Sequence, residues 1–458
     1  MATVDEIAVP STAGRAAGKA GREVTRVIVN TAPLDAHAIT DKLSGTPTGT
    51  DGPMIGGQPH YTSSNALSLW LQNEPRWQRR ATLPRPQQPA PKNINVWSLV
   101  KDFVGKGDLS KIATPVQLLE PLSELQQRCE DLEYTELLDQ ALAAEPQSLE
   151  RLLLVTAFAV SAYSGVKRTQ KPFNAFLGET CEFACPEKGF RFFAEKVQHE
   201  PTTINHVHVD GRGWAFNLED ELHTRFTGTS IDLMPIVLIR VAFADGDAYT
   251  WHKATTSILG VVMGPIRLEH KGTVTVRGCQ SGYTANFKLH ATGMLTSKSK
   301  MHEVSGTVEK DGVPIKGLKL KGKWDTELVA EMPDGSSRRL WTINPPAADP
   351  TRFGMTSWVL ALNEMSPELE RLLPPTDTRM RADIRALEQG RYDQAAEEHR
   401  RLLEEHEVRV KELIDRKAVH EPRWCERIMP DNQQIGKQYL YRYKGGYWEE
   451  RAAKCTNS

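Results

Sequence analysis

Three histidines stand close together in the chain: His199, His206 and His208. Imidazole is the commonest metal ligand and a general base near neutral pH. On an extended strand His206 and His208 share a face, because side chains alternate with period two. A metal edge is one reading of that pair. The reading taken is ordinary imidazoles, facing solvent or satisfied in the core, with no metal and no cofactor. Six cysteines are sparse for 458 residues, and the close pair, Cys181 and Cys185, has a spacing that suits no common zinc motif. Free, mostly buried thiols in a reducing compartment are expected. The nucleophile elbow, the HExxH helix, the phosphate-binding P-loop and the dinucleotide GxGxxG are all missing. Chemistry of the catalytic kind is therefore not expected, and an enzyme is the last of the readings.

The elements that carry these residues change character along the chain. From about 190 to 343 the apolar pattern has period two, with Gly, Asp-Gly and Pro turns between runs such as FRFFAEKV, TTINHVHVD, HTRFTGTSIDL and PIVLIRVAF. Some ten strands over that stretch predict an antiparallel barrel or sandwich and exclude a doubly wound sheet. Strands enclosing a large cavity suit a binding protein. Residues 121–164 read as helical, with Ser148 opening the apolar run LLLVTAFAVSAY. That run is too short to span a membrane, which takes roughly 20 apolar residues, so it predicts a buried helix. Residues 380–417 form a charged helical stretch broken near Gly390.

Residues 1–92 are rich in Pro, Gly, Ser and Thr and are expected to be mostly disordered. A short helix over Asn65–Gln72 is the exception, read as a docking peptide. Order is expected from Val96, where WSLVKDFV carries a helical stripe of Trp97, Leu99, Val100 and Phe103. The chain start shows no secretory pattern, and the final CTNS is no prenylation box. With 57 Lys and Arg against 58 Asp and Glu, the formal charge is −1. Coating nucleic acid would need a large basic excess, so no nucleic-acid partner is expected. The expected setting is the cytoplasm.

At Lys171 the residues become more specific. KPFNAFLGET (171–180) resembles the KPFNPxxGE segment of the oxysterol-binding-protein-related family, and EKVQHEP (195–201) resembles its EQVSHHPP fingerprint. Further matches follow in family order: DLSKIATPVQLLEPLSELQQRCEDLEY (108–134), GKWD (322–325), LLPPTDTRMRADIRALEQG (372–390) and EPRW (421–424). The resemblance covers about 97–428.

The resemblance implies an α+β, mainly β fold: an incomplete antiparallel β-barrel around a lipid tunnel. It implies an N-terminal lid and connection (93–120), helices (121–170), a barrel (171–345), a helical subdomain (346–430) and a C-terminal tail (431–458). A pleckstrin-homology domain is not expected in 1–92. The implied ligand is a sterol or another lipid, moved between membranes by a protein in transient peripheral contact with them. The alternative is a lipid-regulated sensor or scaffold that reaches protein partners through 1–92.

Site residues follow by position in the family motifs. Trp97, Leu99, Val100 and Phe103 map onto the lid's inner face, and Tyr163 onto the tunnel floor as a hydrogen-bond partner for a sterol hydroxyl. Lys171, Asn174 and His199 match the phosphatidylinositol 4-phosphate headgroup site. Glu200 replaces that site's second histidine and sets a carboxylate against a phosphate. At 4 Å and an effective dielectric of 20 such a pair costs about 4 kcal/mol, so binding of that lipid is expected to be weak. The family's last helix gives a Lys, a Glu and an Arg at four-residue steps, matched in charge by Arg401, Glu405 and Arg409. A gap-free count from Gly390 instead gives His399, Leu403 and Glu407.

Overall fold

The structure is a computed structural model. It describes residues 64–74, 79–80, 82–85, 97, 99, 101, 114–165, 168–292, 300–345, 353–428 and 439–456. Of the lid stripe, Trp97 and Leu99 are described; Val100 and Phe103 lie outside, as do residues 1–63.

Strand and helix periodicity sort the chain into an antiparallel sheet wrapped around one helix. The helix, α4 (Leu149–Ser161), follows α1 (Ser64–Asn73), α2 (Glu124–Glu130) and α3 (Glu136–Ala143). The Ser148 hydroxyl caps α4 by accepting from the Arg151 amide. Every residue from Arg151 to Ser161 is buried, as a helix apolar on all sides must be. The one charge among them, Arg151, is satisfied. Its guanidinium donates to the Ala141 and Ala144 carbonyls and pairs with Asp245 and Asp247. Removing a partner from such a buried pair typically costs about 3–5 kcal/mol.

Two short strands, β1 (Leu119–Ser123) and β2 (Lys171–Phe173), pair in parallel outside the main sheet. The expectation of helix from 121 and of barrel from 171 is corrected here. The sheet proper begins at Thr180, and the Lys171 segment belongs to the smaller pair.

The main sheet has thirteen strands among the described residues. They are β3 (Thr180–Cys185), β4 (Phe190–Gln198), β5 (Ile204–Gly211), β6 (Trp214–Phe226), β7 (Ile231–Phe243), β8 (Ala248–Trp251), β9 (Thr255–Leu259), β10 (Arg267–Gly278), β11 (Tyr283–Leu289), β12 (Glu303–Lys310), β13 (Val313–Lys323), β14 (Glu327–Glu331) and β15 (Ser337–Thr342). Neighbours in sequence pair throughout, except that β8 and β9 lie end to end between β7 and β10. HTRFTGTSIDL, read as one strand, is a hairpin instead: Phe226 pairs with Ile231 across the turn. The end strands β3 and β15 do not pair with each other, so the barrel is incomplete. The β3 edge is covered where the Thr180 amide donates to the Thr376 carbonyl.

After the sheet come α5 (Ser357–Ala361), α6 (Pro367–Leu372), α7 (Ala382–Glu388) and α8 (Tyr392–Asp415). Gly390 takes φ +72° at the predicted break, a conformation glycine adopts without strain. The chain ends in β16 (Cys425–Arg427), β17 (Tyr441–Tyr443) and α9 (Tyr447–Thr456).

The expected tail (431–458) is corrected by these last elements. Trp424, Tyr441, Tyr443, Tyr447 and Trp448 form one buried cluster with Phe193, Val197 and Ile204 of β4 and β5. Both faces of β4 and β5 are therefore buried, whereas β12 and β13 keep one face in solvent. The boundary expected at residue 93 moves too. Helix α1 buries Leu67 and Leu71, sets Trp70 edge-on against Trp448 at 4.9 Å, and is followed by Glu74, whose carboxylate takes both terminal nitrogens of Arg451.

Candidate lipid-binding site

Helix α4 fills part of the sheet's concave side and leaves a cavity of about 260 Å³ at its C-terminal end. This is close to the lower end of small-molecule pockets, roughly 300–1,000 Å³. The wall is apolar where β6, β7 and β10 pass it: Leu218, Leu222, Leu233, Val237 and Leu268. Polar groups line it too, with Lys253 paired to Asp131, and Arg128 paired to Asp220, which stands between Leu218 and Leu222 on β6.

Tyr163 lines this cavity. Its ring is buried and lies edge-on to His270 at 4.9 Å. Its hydroxyl oxygen accepts from the Ala254 amide at 2.8 Å, which leaves its own O–H to donate to a ligand oxygen. Burial pushes the Tyr163 phenol well above its usual range, so it stays protonated. Burial, Lys253 and His302 hold the His270 imidazole down at about 3, so it is neutral.

The Lys171 segment forms a second, polar cradle beside α8. The Lys171 ammonium donates to the Asn174 side-chain oxygen at 2.7 Å. The backbone around them is pinned almost residue by residue. The Asn174 carbonyl accepts from Arg381, the Ala175 amide donates to Glu124, the Phe176 amide to Glu179, and the Leu177 amide to His406 Nε2 at 3.1 Å. Lys196 reaches both Glu124 and the Ala175 carbonyl. Burial alone would raise the Glu124 carboxyl, but Lys196, Arg128 and Lys171 hold it below its ordinary range.

His199 sits edge-on to His406, with ring centroids 4.7 Å apart. Burial and the nearby cationic groups keep His406 neutral, at about 3. Glu200 follows His199 into solvent, and both line a neighbouring cleft of about 440 Å³ whose far wall includes Val410, Leu413 and Ile414 of α8.

Helix α8 presents different residues from those matched by charge. Arg401 is half exposed and pairs with Glu398 and Glu405 along the helix surface. Arg409 is exposed as well. The inward residues are Ala395, His399 and His406. His399 lies against Phe173 at 5.1 Å and pairs through Nδ1 with Asp383, whose carboxyl Arg381 and His399 hold well below its usual range against the effect of burial. The structure thus brings Lys171, Asn174 and His199 to one side of α8 and leaves Arg401 and Glu405 on the other. His399, the residue that the gap-free count from Gly390 gives, is one of these inward residues. His406 was missed, because a histidine in a run of charges carries no signal of the side it faces.

Trp97 stacks at a tilt on Phe226, centroids 5.3 Å apart, at the end of β6. His206 and His208 are buried. His208 bridges Asn217 and Asp210, and the His206 ring lies near Glu219 and Tyr439. No group of three metal-ligating side chains occurs among the described residues.

The sequence profile described as Oxysterol-binding protein matches residues 95–452. The chain belongs to that family. It is 40% identical over 387 residues to oxysterol-binding protein-related protein 1B of Arabidopsis thaliana, covering 83% of this chain and 76% of that one. Against protein 2B of the same plant it is 40% identical but spans 54% of the relative's length. Against human oxysterol-binding protein-related protein 6 it is 37% identical over 381 residues, 81% of this chain and 39% of the relative. The structure resembles the Osh1 ORD domain in complex with cholesterol, with a TM-score of 0.74 and 30% identity over 86% of this chain and 96% of that one. It also resembles the Osh3 ORD of Saccharomyces cerevisiae in complex with PI(4)P, with a TM-score of 0.70 and 28% identity over 82% and 96%. The mainly β, incomplete-barrel architecture is that of these family domains.

Proposed function

We propose that this chain takes one sterol-type lipid into the cavity beside Tyr163 and carries it between membranes. The observation that carries the reading is the cavity itself: an apolar wall from three strands faces a buried tyrosine whose O–H is left to donate. A sterol offers the matching shape, one hydroxyl on an apolar body. Shielding that body from water is worth about 25 cal/mol per Å², which is what extraction from a bilayer requires. The similar Osh1 domain, described in complex with cholesterol, supports the same ligand class.

A phosphoinositide headgroup at Lys171, Asn174 and His199 is the weaker part of the reading. Lys196, Arg381, His399 and Arg401 all face carboxylates, and His406 is neutral. Glu200 adds a negative charge at the rim. Exchange of a sterol against a phosphoinositide is therefore expected to be poor. Membrane contact is peripheral in this reading; no helix among the described residues is long and apolar enough to cross a membrane.

The test is extraction of labelled sterol from liposomes by the full chain, compared with Val237→Trp, which fills the cavity. Extraction by the unmodified chain alone is the expected result. Equal extraction by both would overturn the assignment of the cavity.

A further inference from the structure

Two hairpin ends meet at one edge of the sheet. The β6–β7 turn closes between Phe226 and Ile231, and the β9–β10 loop spans residues 260–266. They are neighbours because Ile231 pairs with Ile258 across β7 and β9. Beneath them Ile231 and Val261 form a small buried cluster with Phe226, Leu233, Ile258 and Ile266.

The loop above this cluster is apolar on its outer side. Val261 is buried, but Val262 is 44% exposed and Met263 is 89% exposed. This shape is built. Gly260 takes φ +80°, and a Cβ there would lie 2.1 Å from the Pro265 carbonyl oxygen, so the loop closes only around a glycine. Val261 anchors the turn, and its two successors have nowhere to go but outward. Nothing in folding requires a valine and a methionine at the outermost positions.

The solvent-exposed charges around the tip are of one sign. Arg225 and Arg267 are exposed, and Lys271 is partly so. The acids of the same strands are buried: Asp232 lies beneath Lys271 and Arg225, and Glu221 and Glu269 are covered as well. The two turns themselves, 227–230 and 260–266, contain no acidic residue. An apolar tip within a basic collar complements an anionic lipid surface: the side chains enter the acyl boundary while the cations meet headgroups. The tip is also continuous with the cavity. Leu233 and Leu268, which wall it, stand two residues from Ile231 and Ile266, and Trp97 packs on Phe226.

We propose that the β9–β10 loop, Val262 and Met263 foremost, is a membrane-docking wedge that sets the cavity end of the sheet against an anionic bilayer. The proposal rests on the lipid-carrier reading for its purpose but is tested apart from it. Flotation with phosphatidylcholine vesicles, with and without about one fifth phosphatidylserine, reports docking. Loading of a fluorescent sterol from cyclodextrin, with no membrane present, reports the cavity.

The V262D/M263D double variant is expected to lose at least tenfold in vesicle binding and to keep sterol loading and its melting temperature. Met263→Phe should bind more tightly. Arg267→Glu should lose the preference for phosphatidylserine, by at least about fivefold for each charge reversed. Unchanged flotation of the aspartate variant, or no flotation of the unmodified chain on either vesicle, would overturn the wedge. Failure of the unmodified chain to load sterol, with flotation lost in V262D/M263D, would sink the carrier reading and leave the wedge standing.

Discussion

Truncation of the N-terminal arm is the perturbation with the largest worked consequence. Composition places a boundary near residue 93, yet helix α1 at Ser64–Asn73 lies against the C-terminal elements. Removing residues 1–92 uncovers Trp448 and strips away Leu67 and Leu71, which are 0% and 3% exposed. Two fully buried leucines contribute roughly 1.5–3 kcal/mol each. Arg451 keeps Glu182 but loses two charged hydrogen bonds to Glu74, worth about 1.5–3 kcal/mol for a contact of that type. The total, roughly 4.5–9 kcal/mol, is comparable with the whole stability of many domains, about 5–15 kcal/mol. The same cut removes Arg79 and Arg80, which pair with Glu364 and Glu388. A cut at residue 63 removes none of this. Guanidinium melts followed by tryptophan fluorescence should therefore show the 64–458 chain close to the full chain, and the 93–458 chain unfolded or strongly shifted. Should the shorter chain fail to express, Leu67→Ala in the full chain should still cost about 2–5 kcal/mol. Equal midpoints for the full chain, 93–458 and Leu67→Ala would refute the claim that α1 belongs to the folded domain.

Three other expectations follow from single groups. Glu200→His should strengthen binding to vesicles bearing phosphatidylinositol 4-phosphate; because Glu200 is exposed, the repulsion is nearer the aqueous value of about 1 kcal/mol at 4 Å than about 4 kcal/mol, so a gain near fivefold is expected, and no gain would dismiss the charge argument. Tyr163→Phe leaves the Ala254 amide without its acceptor, which should cost about 1–3 kcal/mol in a denaturation curve and weaken fluorescent-sterol binding; unchanged values in both would remove Tyr163 from the site. Stability should fall as pH drops below about 6.5: His406 and His270 are held down to about 3 in the fold, so the unfolded chain binds more protons across that window, and stability is full above it and lost toward pH 3. His406→Gln, which keeps an acceptor for the Leu177 amide, should flatten the slope between pH 6.5 and 5; an unaltered slope would show that His406 does not titrate this way.

The fold was legible where periodicity is local. Alternation revealed most of the strands between β4 and β15, though not β14 or the first half of β6, and Ser148 with its apolar run revealed α4. Three further features were not legible. The Leu119–Ser123 strand contains Pro121 where a segment read as connection meets one read as helix, and only its parallel partner β2 makes it a strand. The hairpin at Phe226–Ile231 joins two strands through Thr-Gly-Thr-Ser, a turn too weakly marked to divide them. The C-terminal aromatics looked like a tail because a sheet face that needs cover, here Phe193, Val197 and Ile204, is distant in sequence from the segment that covers it.

The candidate site shows the same limit on a single helix. A four-residue step places Arg401, Glu405 and Arg409 on one face of α8, and that much follows from helical geometry. Which face looks inward is a separate question, fixed by the partners. Asp383 is buried, and His399 gives it a further partner beside Arg381. The Leu177 amide needs an acceptor, and His406, seven residues on, supplies that. Two turns apart, these histidines set the phase of the helix, and Arg401 and Glu405 then fall in solvent, where their own pairing is worth no more than about 0.3–0.5 kcal/mol. Charge matched by type does not by itself give the phase of the helix. A buried group's need for a partner decides orientation, because an unmet hydrogen bond in the interior costs more than any surface ion pair returns.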